Sequence, residues 1–196
     1  MECISDELIK QFFLTSLFGN LHEQDTIIKK ASGRAYLDLC RTLRLKGKIE
    51  ESKRAYEKTV ALIDRDIRKL LDARTQESFD NLHNEICNKL IRTYNAEGIA
   101  FHYGQAQKWI NMTMKYLHVI KPENLSLEGS FPYLHVPIDQ IILKCAEAEL
   151  NVPVRNFTWS TYDYDGYIQI QKAIREKLKS RKTFPLEWEF EAWNRL

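Results

Sequence analysis

Proline and glycine are scarce in this chain. Five prolines and seven glycines occur in 196 residues, and every proline lies beyond residue 121. The first 95 residues therefore read as helices joined by short turns, because nothing there breaks a helix by removing a backbone donor. Alternation of apolar and polar residues never lasts more than a few positions, and only "LHVPI" and "VPVRNFTW" look extended, which excludes a sheet-based fold. No apolar run approaches the roughly 18 residues a membrane span needs, and the acidic start "MECISDELIKQFFLTSLFG" lacks the pattern of a secretory signal. The four cysteines (Cys3, Cys40, Cys87 and Cys145) form no CxxC pair, so isolated reduced thiols in a cytoplasmic protein are expected, with neither a disulfide framework nor a zinc site. His22, His83, His102, His118 and His135 show no metal-ligand spacing, and no phosphate-binding glycine loop or nucleophile elbow occurs; no metal and no cofactor are expected. The net charge of +2 supports a polyanionic partner only weakly.

What is present is an ordinary globular balance, 44% hydrophobic and 29% charged, enough to bury a core in one domain or two closely packed subdomains. Tyr56, Val60, Ile63, Ile67, Leu70 and Leu71 recur at helical spacing, as do Leu82, Ile86, Leu90, Ile91 and Tyr94, the second series ending near Asn95 and Gly98. Residues 35–63 resemble a single tetratricopeptide unit, with Tyr36 and Leu39 on the first helix and "LKGKIEES" as the turn. Thirty-four residues on, the pattern does not return, so an ordinary antiparallel helix pair is the favoured reading. The expected organisation is an N-terminal helical subdomain over 1–75 and a helical core over 76–196, packed as one domain. Residues 30–75 are the surface to which a protein partner could bind.

Two stretches carry candidate chemistry. "YGQAQKWINMTMKYL" (103–117) is apolar around most of a helix, which places it in the middle of the fold with Lys108 and Lys115 at least partly buried. "VPID" then opens another helix after a long connection, with Pro137 and Asp139 in its first turn, where a carboxylate meets free backbone N–H groups. A cap accounts for Asp139 fully. A role opposite Lys108 is compatible with that cap, since the helix field keeps the carboxylate ionised. A buried amine loses its proton more readily and becomes a nucleophile, and a carboxylate across from it can take that proton or balance growing positive charge.

Gly104, Lys108 and Asp139, the last two 31 positions apart, resemble the helix-hairpin-helix DNA glycosylases, closest to their 8-oxoguanine branch, over about residues 80–160. "HYGQAQK" keeps one of the two hairpin glycines of that family. The resemblance implies an all-α, compact multi-helix domain with a glycosylase-like helix-hairpin-helix core. It also implies a base-excision glycosylase and abasic-site lyase acting on DNA through a flipped base, with Lys108 as Schiff-base nucleophile and Asp139 as its partner. A flipped base needs flat or apolar side chains around it, for which Trp109, Phe131, Tyr133, Trp159, Trp188 and Trp193 are candidates, though an aromatic at helical spacing is more often a core residue. His102 and His135 adjoin the two halves of the pair and are candidates for substrate contact. Gly104 and Gln105 correspond to the backbone-binding hairpin. The basic run "KAIREKLKSRK" adds Lys172, Arg175 and Lys179 as phosphate contacts, or forms a solvated helix face. Against the enzyme stands a second reading: a non-catalytic helical module that binds nucleic acid or a protein, in which Lys108 and Asp139 are an internal ion pair.

Overall fold

A computed structural model describes residues 4–23, 26–154 and 158–195. Among these residues the chain is all-α, with eight α-helices and no strand: α1 (Asp6–Phe18), α2 (Ile27–Leu37), α3 (Ile49–Leu71), α4 (Gln76–Ala96), α5 (Tyr103–Ile120), α6 (Gln140–Leu150), α7 (Tyr164–Lys179) and α8 (Pro185–Asn194). Short 3₁₀ turns occupy Cys40–Thr42, Glu128–Tyr133 and Trp159–Thr161. No described helix is long and apolar enough to cross a membrane. Cys40, Cys87 and Cys145 are free thiols; Cys3 lies outside the described residues, as do Asn156 and Phe157 of the second extended-looking stretch.

The middle of the fold is α5, whose residues from Tyr103 to Lys115 are all buried. Helix α2 lies along it because Ala31, Ser32 and Ala35 present almost no side chain at the contact. The Trp109 indole N–H uses that proximity, donating to the Ser32 carbonyl at 2.9 Å. Helices α3 and α4 pack antiparallel on one flank; α3 is strongly amphipathic, burying Ala55, Thr59, Ile63, Ile67 and Leu70 under a charged outer face. One continuous hydrophobic cluster runs from Ile27 to Ala192, so the N-terminal helices and the remainder share a core.

Helices α2 and α3 also pack on each other, with Tyr36 and Tyr56 in ring contact at 4.7 Å. Leu39, expected on the first helix, lies beyond its C-cap Asp38, and Lys46 and Gly47 turn the chain with positive φ. Helix α1 is the exception to good packing. Leu8, Phe12, Phe13 and Leu17 are exposed, and Phe18 alone is buried, edge-on to Tyr116 at 5.3 Å.

Candidate active site

The extended stretch before α6 would leave its backbone groups unpaired if it were buried without partners. Two glutamine amides satisfy them in the way a neighbouring strand does. Gln171 of α7 accepts the Val136 N–H at 3.1 Å and donates to its carbonyl at 2.6 Å. Gln107 of α5 accepts the Ile138 N–H at 3.2 Å and donates to the Ile138 carbonyl at 2.8 Å. The chain is thereby fixed up to Asp139, which is the N-cap of α6 itself rather than a residue of its first turn; Pro137 lies ahead of the helix.

The two oxygens of Asp139 are divided between two tasks. Oδ1 accepts the Ile142 N–H at 2.9 Å and caps the helix, while Oδ2 accepts from the Lys108 ammonium at 2.7 Å. Lys108 is one turn into α5, and its side chain is only 4% exposed. Met112, Lys115 and Tyr116 follow it at helical spacing along the same side, and all four line a cleft of about 490 Å³. Asp139, Trp159 and Trp193 complete much of the wall, with Arg34 and Asp38 from α2 and Arg41 from the turn beyond it. That volume falls within the roughly 300–1,000 Å³ typical of small-molecule sites. A larger cleft, about 620 Å³, is lined by His118, Lys121 and Phe131 but holds no paired amine and carboxylate.

The second lysine is differently held. Lys115 donates to both oxygens of Glu189 on α8, at 2.6 and 2.8 Å, and its ammonium sits 4.5 Å from the Phe190 ring centre. Burial pulls the Lys115 amine down and pushes the Glu189 carboxyl up, and the attraction between them works against both shifts.

Beside the cleft, on the α4 and α7 side of α5, runs a buried hydrogen-bond relay. A set of neutral tautomers in which His83 and His135 each donate from Nε2 accounts for their bonds with Tyr103, Asn111, Tyr167 and Asp80. Tyr103 donates to His83 Nδ1 at 3.4 Å, and His83 Nε2–H donates to the Asn111 carbonyl oxygen at 2.9 Å. The Asn111 amide donates to the Tyr167 hydroxyl at 2.9 Å, and Tyr167 donates to His135 Nδ1 at 2.7 Å. His135 Nε2–H then donates to Asp80 at 2.7 Å, and Arg175 closes the relay with bonds of 2.9 and 3.2 Å to the same carboxylate. Burial lowers both histidines, His83 well below the ordinary range, which matches their neutral roles. Burial pushes the Asp80 carboxyl up, but the bonds from His135 and Gln76 and the charge of Arg175 outweigh it and hold it well below the usual carboxylate range.

Of the residues singled out in the sequence, the structure brings Lys108, Lys115, Asp139, Trp159 and Trp193 into one cleft. It places the others elsewhere. Trp109 turns away from Lys108 into the core, fully buried and stacked on Tyr56. His135 is sealed in the relay. His102 caps α5 and is exposed, and Tyr133 packs half-buried against the core outside the cleft, its carbonyl accepting from Gln76 at 3.1 Å. The Gly104 N–H donates to Tyr162 at 3.0 Å, and its Cα is pressed against the Trp159 backbone. Gln105 is buried; its side chain accepts the His102 N–H at 2.8 Å and donates to Thr42 at 2.9 Å. The hairpin groups expected at a DNA phosphate are thus engaged inside the fold. Arg175 serves Asp80, and Lys172 and Lys179 are exposed on α7, outside the cleft wall.

Sequence reasoning missed Glu189, Arg34 and Arg41. A signal existed for the first: an apolar helix with a second lysine needs a buried acid, and "EWEFEAW" is an acidic run without a base. Comparison with family models, with curated proteins and with solved structures finds no match to this chain.

Proposed function

We propose that the cleft cleaves the N-glycosidic bond of a damaged nucleotide in DNA, with Lys108 as nucleophile and Asp139 as its proton acceptor, on a helix-hairpin-helix glycosylase-like core. The observation that carries this reading is the Lys108 amine held 2.7 Å from a helix-capping carboxylate at the wall of an open cleft that also presents Trp159 and Trp193. A base extruded from the duplex needs a flat or apolar surface to replace its lost stacking, and the two indoles supply it.

The Lys108 ammonium passes a proton to Asp139 Oδ2. The freed lone pair attacks the sugar C1′ as the C1′–N bond breaks, its electron pair leaving with the base, which takes up a proton. The adduct nitrogen then loses a proton, and its lone pair forms a C1′=N bond as the C1′–O4′ pair goes to the ring oxygen, which takes up a proton; a protonated imine is left on Lys108. Loss of a C2′ proton then expels the 3′ phosphate by elimination. Because Oδ1 stays bonded to Ile142, Asp139 changes protonation at Oδ2 without releasing its helix. Lys115, gripped by both oxygens of Glu189, is not free to take the same part.

The test is covalent trapping. Duplex DNA bearing 8-oxoguanine or an abasic site, incubated with the protein and borohydride, is expected to yield an adduct mapped to Lys108, lost in Lys108→Gln and kept in Lys115→Gln. Absence of an adduct on every damaged base tried returns Lys108 and Asp139 to an internal ion pair in a binding module.

A further inference from the structure

Among the described residues, the charges lining the cleft are paired with one exception. Lys108 is bound to Asp139, Lys115 to Glu189, and Arg34 to Asp38 at 3.0 Å. Arg41 has no hydrogen-bond or ion-pair partner among the described residues, and it is exposed. Its backbone is nevertheless firmly held. Leu39, two residues before it, is fully buried, and Thr42, just after it, accepts the Gln105 side-chain amide at both its carbonyl and its hydroxyl. A guanidinium with a fixed base and unspent donors is what bidentate recognition of an oxyanion requires. With the other ions neutralised in pairs, the wall keeps one net positive charge, at Arg41.

We infer that the mouth of this cleft is a phosphate subsite in which Arg41 grips the phosphate of the nucleotide whose base the cleft takes. The inference rests on the proposed nucleotide chemistry and assigns it a contact. The N–H of Gly104 and the amide of Gln105 are consumed within the fold, and Gln105 spends its amide on positioning the Arg41 turn. The phosphate contact therefore passes from the hairpin to the residue the hairpin braces. The ligand chemistry is a nucleotide phosphate, carried either by a DNA strand or by a free mononucleotide.

Lys108→Gln protein, which binds without reacting, is titrated by tryptophan fluorescence with three probes. These are a single-stranded trinucleotide with a central tetrahydrofuran abasic analogue, the same trinucleotide with uncharged methylphosphonate linkages, and deoxyguanosine 5′-monophosphate. Adding Arg41→Ala is expected to weaken the best charged probe about tenfold. If that probe is the trinucleotide, the slope of log affinity against log salt should also fall by about 0.7. Arg41→Lys should restore part of the loss, and the melting temperature should hardly move, since the exposed Arg41 side chain makes no hydrogen bond or ion pair among the described residues. Tighter binding of the charged trinucleotide assigns the phosphate to a strand; tighter binding of the monophosphate assigns it to a free nucleotide. Equal affinity of Arg41→Ala and its parent, or equal affinity of the charged and uncharged trinucleotides when the monophosphate does not bind, overturns the subsite. The two proposals fail separately. Arg41-dependent binding without a borohydride adduct removes the nucleophile and keeps the subsite, and an adduct without Arg41 dependence does the reverse.

Discussion

Replacing Gly104 with alanine separates two accounts of the hairpin. A phosphate-binding glycine is exposed, and a Cβ there would weaken DNA binding while leaving stability alone. In this structure an added Cβ would lie 1.8 Å from the Trp159 carbonyl oxygen and 2.9 Å from its carbon, with Ser160 at 3.0 Å. These are backbone atoms, so no side chain can swing aside, and the Trp159–Thr161 turn must lift. Overpacking of this kind costs about 1–3 kcal/mol. Displacing the turn also strains the Gly104 N–H bond to Tyr162, worth about 1 kcal/mol. Alanine's better helix propensity returns at most about 1 kcal/mol. The net expectation is a loss of about 1–3 kcal/mol, and at roughly 2–4 °C per kcal/mol for a chain of this size the melting temperature should fall by roughly 2–12 °C. Thermal unfolding followed by circular dichroism gives the shift, and tryptophan emission reports the altered setting of Trp159. A Gly104→Ala protein melting within a degree of wild type would refute the packing argument and restore the hairpin to the surface.

Acid should destabilise the protein early. His83, His135 and His118 are all lowered by burial, so the unfolded chain binds more protons below about pH 6.5, and each contributes up to about 1.4 kcal/mol per pH unit as pH falls. Glu189, pushed up by burial, opposes this with one group against three, so urea midpoints measured from pH 7 to 5 should fall. Glu189→Gln should cost about 3 kcal/mol by stranding the Lys115 charge, whereas the double change Lys115→Met with Glu189→Leu should lie near neutral; denaturant titrations of both variants against wild type check the contrast. Phe18→Ala, at a side chain 6% exposed, should cost about 3 kcal/mol, while Phe12→Ser, at one 67% exposed, should stay within about 0.5 kcal/mol by the same measurement. Asp139→Asn keeps a capping side chain and should unfold at higher denaturant than Asp139→Ala by about 1 kcal/mol.

Helix content and the central place of α5 were legible because apolar residues around a whole helix have one place to go. Lys108 and Asp139 were legible because each stands at a helix start beside a short signal, Gly104 in one case and Val-Pro in the other. Trp109 follows its core reading rather than the base-platform one because adjacency in sequence is about 100° of rotation on a helix, which turns it from the cleft into the core. Arg175 was read with its basic neighbours, yet its partner Asp80 is 95 positions away and leaves no local trace. The relay escaped for the same reason: its bonds join α4, α5, α7 and the stretch before α6, none of which shows a polar motif alone. Arg41 follows the α2 helix in a turn with no periodicity to mark it.

The cleft is held by contacts that close very long loops. Lys108 meets Asp139 across 31 positions, Gln105 meets Thr42 across 63, Lys115 meets Glu189 across 74, and Trp109 meets Ser32 across 77. Each closure costs chain entropy that is recovered only when both ends are already ordered, whereas the α3–α4 hairpin forms from neighbours. The site is therefore expected to assemble after the helices that frame it, with refolding followed by tryptophan emission lagging that followed by helix signal. It also has no minimal fragment: a proteolytic piece lacking either α2 or α8 keeps the Lys108–Asp139 pair in sequence and loses a wall of the cleft.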